Sequence, residues 1–196
     1  MLKIPCTVAK SMTTSAHKDW HEKDGIVYLS VTSDGTTGEH WIRRLEENSF
    51  RVGDYAKQVL LHPAFSPTKN LTTEVAVLRG LLFADNDRCT AKIRAEAEKR
   101  NLSKPNAEIA CLIRDKFSDL EIEGMGLQYI VAMHEPIHDA GGLPRLLNAD
   151  RSHEGRWLYA HGDRPDRMRG HDFGFAFVVS SCSAEAFEDK QVSSRC

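Results

Sequence analysis

"LQYIVAMHEPIHDAGG", residues 127–142, admits two backbone readings, and the choice between them decides which fold the chain can adopt. As a helix it would stack His134 and His138 on one face, a turn apart. As a strand and turn it would separate them. Leu127–Met133 is almost entirely apolar, with Tyr129, Ile130 and Val131 at its centre, which suits a short strand covered on both faces. Pro136 argues against the helix. Its ring removes a backbone donor and clashes with the carbonyl four residues earlier, at ~3 kcal/mol inside a helix. It also drives Glu135 toward extended geometry. The reading adopted is a strand ending at Met133 or His134, then a turn built on Pro136, Asp139, Gly141 and Gly142.

Other strands lie on either side of this one in the sequence. "IVYLSVTS" (26–33), "TTEVAVLRGLLF" (72–83) and "FGFAFVVSS" (173–181) are rich in β-branched and aromatic residues. Helices are expected in "TGEHWIRRLEENSF" (37–50), which Thr37 can cap, and in "GDYAKQVLL" (53–61). Two more are expected in "DNDRCTAKIRAEAEKRNL" (85–102) and "SKPNAEIACLIRDKF" (103–117), the latter with a broad face of Ile109, Leu112, Ile113 and Phe117. Ser118 and Glu121 have capping-box spacing for one further turn. Between the turn and the last strand the chain reads as loop, interrupted by "RWLYA" (156–160). The expected fold is a single α+β domain over 1–196, a mixed, mostly antiparallel sheet of about five strands packed with three to four helices. Residues 1–24 read as a loose N-terminal arm and 183–196 as a polar tail.

Composition narrows the function classes. With 41% apolar and 28% charged residues the chain can bury a core, and a net charge of −2 argues against a surface that tracks nucleic acid along its whole length. Five widely spaced cysteines without a Cys-x-x-Cys pair suggest free thiols in a reducing compartment. No leader-like or membrane-spanning apolar run is present, so a cytoplasmic protein with no membrane partner is expected.

The letters His134-Glu-Pro-Ile-His138 match the zinc-hydrolase pattern, in which two imidazoles share a metal and the glutamate is general base. That use needs a helix. In extended chain the two histidines stand roughly 13 Å apart, too far for one ion with ~2 Å bonds. A divalent metal is the one cofactor raised by the sequence, and it is not favoured. Its candidate ligands are His134, His138, His161 and His171, with Glu135 as the catalytic base; His153 and several aspartates lie among them.

"HGDRPDRMRGHDFG" (161–174) is the densest charged loop, and Arg164, Arg167 and Arg169 are candidates for binding an anionic ligand through their guanidinium forks. The leading expectation is therefore a ligand- or protein-binding domain without a catalytic motif, using a face rimmed by loops 134–142 and 161–172. A metal-dependent hydrolase on the same loops is one alternative. Another is nucleic-acid association through the basic 88–104 segment and a helix-turn-helix, which is not favoured because the second helix needs its apolar face for the core.

Overall fold

The computed structural model describes residues 19–152 and 155–180. In chain order the elements are β1 (Trp20–Lys23), β2 (Ile26–Asp34), α1 (Gly38–Glu47), β3 (Arg51–Val52), α2 (Asp54–Leu61), β4 (Lys69–Arg79), α3 (Thr90–Lys99), β5 (Leu102–Ser103), α4 (Glu108–Lys116), α5 (Asp119–Gly124), β6 (Tyr129–Ala132), β7 (Ile137–His138), β8 (Pro144–Ser152), β9 (Gly155–Gly162) and β10 (Phe173–Val179). Two 3-10 turns, Gly80–Leu82 and Asp85–Asp87, separate β4 from α3.

All ten strands form one open mixed sheet in the order β1-β2-β4-β10-β6-β8-β9-β3, with β5 beside β10 and β7 beside β8. This corrects the expectation of about five strands, and among the described residues five α-helices replace three to four. Two pairings are parallel, β6 with β10 and β3 with β9. The expected loop after residue 139 is instead the long β8–β9 hairpin, paired from Arg145↔Gly162 to Ser152↔Gly155. Part of the expected N-terminal arm is also strand: Trp20–Lys23 pairs antiparallel with β2. Residues 1–18 of that arm, and the 183–196 tail, lie outside the described residues.

The sheet buries both faces, unequally. On one face Val27, Leu29 and Val31 of β2, Val75 and Val77 of β4, Ile130 of β6, Leu147 of β8 and Leu158 of β9 meet α1, α2, α4 and α5 through Trp41, Leu45, Val59, Ile113 and Ile122. On the other, Leu78, Val131, Met133, Leu146, Phe175 and Phe177 meet Ile93 and Ala97 of α3. Among the described residues, α3 is the only helix whose apolar side chains join this second core. Caps fix the helix starts. Thr37 accepts the His40 N–H at 3.4 Å, and Ser118 with Glu121 forms the expected capping box ahead of α5. No helix among the described residues is long and apolar enough to cross a membrane.

Because α3 and α4 pack on opposite faces of the sheet, with β5 between them, they do not form a helix-turn-helix. The basic residues of 88–104 are also engaged: Arg88 with Asp85, Lys92 with Asp87, Arg94 with Asp163, Lys99 and Arg100 with Glu96, and Lys104 with Glu135.

Candidate functional site

Backbone geometry separates the members of the His-Glu-x-x-His stretch. After β6 the chain bends, and Ile137 and His138 pair with Arg145 and Pro144 as the short β7; no helix runs through these residues. His134 is 1% exposed, and both its ring nitrogens are occupied. Nε2 lies 3.0 Å from the Leu147 N–H, a donor, so Nε2 must accept; Nδ1 then carries the proton and donates to the Glu135 carbonyl at 2.7 Å. Burial, the largest influence, pushes its pKa down to about 4. This imidazole substitutes for a strand partner. Glu135 points to solvent and pairs with Lys104 at 2.6 Å, which holds its carboxyl below the usual range. His138 and His171 are exposed, and His153 lies outside the described residues. Among the described residues no group of three His, Cys, Asp or Glu side chains is placed to hold a metal ion.

Asp139, the other acid of the turn, is also structural. It accepts N–H groups from Gly141 and Leu143, both at 2.9 Å, and takes Arg145 at 2.8 Å and 2.7 Å. The bond from Leu143 is the first cause of its lowered pKa.

The arginine loop is different. Residues 163–172 leave the end of β9 and return as β10, tied down by backbone bonds to neighbours: Asp163 N–H to Pro144 O, Ala91 N–H to Pro165 O, and Arg169 N–H to Arg88 O. Arg164 is exposed and Arg167 half-buried, whereas Arg169 is only 6% exposed. The Arg169 Nη2 donates to Gly162 O at 3.2 Å, but its Nε and Nη1 have no partner among the described residues. Burial lowers its pKa to about 10, with Arg167 the next cause, so the group is still charged at neutral pH. Asp163 is the buried carboxylate of this cluster, and one of its oxygens is already paired with Arg94 at 2.8 Å. Asp166 points to solvent. Three guanidinium groups thus act on one another around a single buried carboxylate. An excess of cations out of water is unfavourable until an anion joins them.

The cluster adjoins the second sheet face. Cross-strand pairs share a face, so Tyr129↔Asp150↔Trp157 and Asn148↔Tyr159 set Tyr129, Asn148, Tyr159 and Trp157 on one side, with His161 opposite Leu146. The His161 ring contacts Tyr129, Tyr159 and Phe173, with centroids 6.2, 5.6 and 5.8 Å away, and Tyr129 stacks on Phe173 at 4.4 Å. Burial pushes the pKa of His161 down to about 4, and Arg169, Arg167 and Arg145 add to it in that order; its Nε2 has no partner among the described residues. On the same face, between Val131 and Tyr159, Asn148 is wholly buried, with neither amide atom partnered among the described residues. Beside them, at the β3 edge, a cleft of about 490 Å³ is lined by Phe50, Arg51, Tyr55, Trp157 and Tyr159 among others.

Of the arginines named from the sequence, the structure brings Arg167 and Arg169 to this place with His161, and leaves Arg164, His138 and His171 outside it. Sequence reasoning missed Tyr129, Asn148, Tyr159 and Phe173. The available signal was Asn148 interrupting the apolar run of "RLLNADR" (145–151), which marks a polar group inside a strand only once 144–152 is read as one.

No protein-family profile matches the chain, no curated protein matches it, and no solved structure matches its fold.

Proposed function

We propose that the protein is a binding protein for a small anionic ligand, held where the 163–172 loop meets the aromatic face of β6, β8, β9 and β10. The observation that carries this reading is the Arg169 guanidinium, 6% exposed with two N–H-bearing nitrogens unpartnered among the described residues. A phosphate or carboxylate oxygen pair matches the planar fork of such a group, and charge-assisted hydrogen bonds of this kind are about twice as strong as neutral ones. Arg167 adds charge, and neutral His161 offers Nε2 as a further polar contact.

Titration calorimetry with inorganic phosphate at low ionic strength tests the proposal. The wild type binds, and Arg169→Gln weakens binding at least tenfold. Arg167→Gln, which leaves the buried Gly162 contact intact, weakens it by a smaller factor. A wild-type protein that gives no heat and no thermal stabilisation with millimolar phosphate or acetate overturns the reading.

A further inference from the structure

Asn148 stands apart among the buried polar groups of the sheet. It sits mid-strand in β8, between β6 and β9, with Val131 and Tyr159 as its cross-strand partners. A wholly buried carboxamide offers one acceptor and two donors, and leaving them unmatched costs about 1–3 kcal/mol per group. A leucine in the same place would carry no such penalty. The ring of His134, just past the end of the neighbouring β6, is taken on both nitrogens by Leu147 and Glu135. Across the strand from the unpartnered amide stands Tyr159.

The aromatic rings of this face form a platform. Tyr129, Tyr159, His161 and Phe173 contact one another within about 6 Å, and all four are half-buried, so they form the accessible surface of this face. Tyr159 belongs both to this platform and to the wall of the 490 Å³ cleft. Tyr159 is also the cross-strand partner of Asn148, so a turn of its ring toward the cleft is the movement by which a ligand would reach the amide. At the far end of the platform, His161 lies within electrostatic reach of Arg167 and Arg169. The same face of the sheet thus carries an unmatched donor–acceptor pair at Asn148, the aromatic rings, and, next to His161, an unsatisfied guanidinium.

We infer that the anionic ligand carries a planar nitrogen heterocycle, whose adjacent donor and acceptor pair with the Asn148 amide while its anionic arm reaches Arg169. This rests on the anion-binding reading above and adds the ligand's other half. An asparagine amide matches such an edge in two hydrogen bonds, as it does with adenine. Aromatic side chains stack on any base, so the platform supplies affinity and Asn148 supplies the choice of edge. The class that combines both parts in one small molecule is the nucleoside monophosphate, and the match concerns that shared chemistry, free or at the end of a strand.

Calorimetry with three kinds of probe separates the two readings. Inorganic phosphate reports the anion contact alone, phenyl phosphate adds a ring without a pairing edge, and the 5′-monophosphates of adenosine, guanosine and cytidine add the edge. At least one nucleotide binds tenfold or more tighter than phenyl phosphate, and Asn148→Leu removes that gain while leaving phosphate affinity within twofold. The leucine variant should fold, since it replaces an unmatched amide by an apolar group of similar size; Asn148→Ala serves as a second variant. Equal affinity for phosphate, phenyl phosphate and all three nucleotides overturns the heterocycle while leaving the anion site standing. So does a nucleotide preference that both Asn148 variants keep. Failure of every probe, phosphate included, overturns both readings. A short single-stranded oligonucleotide carrying the preferred base, run against the free nucleotide, tells whether the ligand is a strand end.

Discussion

At the scale of single residues, His134 shows how a side chain that resembles a ligand becomes part of a sheet. Its acceptor nitrogen takes the N–H of Leu147, and its pKa of about 4 keeps it neutral while folded. The unfolded chain would bind a proton there near pH 6.5. His161, also near 4, behaves the same way. Lowered folded pKa values mean that the stability is complete above about pH 6.5 and is lost progressively as pH falls to about 4. For His134 the loss is on the order of 3 kcal/mol. Urea unfolding at pH 7 and pH 5 checks this, with His134→Gln as the comparison. Glutamine keeps an acceptor near the Leu147 N–H and does not titrate, so the gap between wild type and variant narrows as pH falls; a gap independent of pH contradicts the account. The sequence made the role of His134 half legible. Pro136 argued against a helix through these residues, and none runs there, but nothing in the local letters pointed to Leu147, thirteen positions on, as the partner.

At the scale of elements, the close approach of α1 and α2 depends on a missing side chain. A Cβ built on Gly38, the first residue of α1, would lie 1.8 Å from the Leu60 carbonyl oxygen in α2. Backbone cannot yield there as a flexible side chain could. Gly38→Ala should destabilise the protein by roughly 3 kcal/mol, as overpacking a tight contact does, and lower its melting temperature accordingly. A melting temperature unchanged within error would show that the helices can slide apart. Amphipathic and capped elements such as α1, α4 and α5 were legible because their signals are local: Thr37, Ser118 with Glu121, and the apolar stripe of α4. β8 was not. Pro144 at its start, Asn148 and Asp150 within it, and Arg145 and Arg151 near its ends imitate a loop, and only pairing with β6 and β9 makes the segment a strand. The arginine loop was legible by charge density. Which of its arginines would be buried was not, because Arg164 and Arg169 differ in what surrounds them, namely solvent for one and Gly162 with Arg88, ahead of α3, for the other.

At the scale of the whole molecule, β10 is the strand on which the sheet depends. It joins β4 on one side and β6 on the other, so β1-β2-β4 and β6-β8-β9-β3 have no ladder between them without it. Phe175 and Phe177 at its core are 0% and 2% exposed. A chain ended after Asp172 should therefore lose its single cooperative melting transition in scanning calorimetry, together with its near-ultraviolet circular dichroism. Retention of both would mean that the helical layer alone holds the halves together. The expected strand count fell short because β1, β3, β5 and β7 are only two to four residues long and β8 is polar in letters. Two-residue strands such as β3 exist only through their pairing with a distant strand, here β9, and carry no periodic signal of their own.

Protein synthesis delivers the N-terminal segments first, so this arrangement has a cellular corollary. Until residues 173–179 leave the ribosome, β4 and β6 each offer bare backbone to any neighbouring polypeptide, and such rims are where nascent chains stick to one another. The interval between translating Ala132 and Val179 is thus the period of greatest vulnerability. Synonymous codons that slow that stretch should lower the soluble yield without changing a single amino acid.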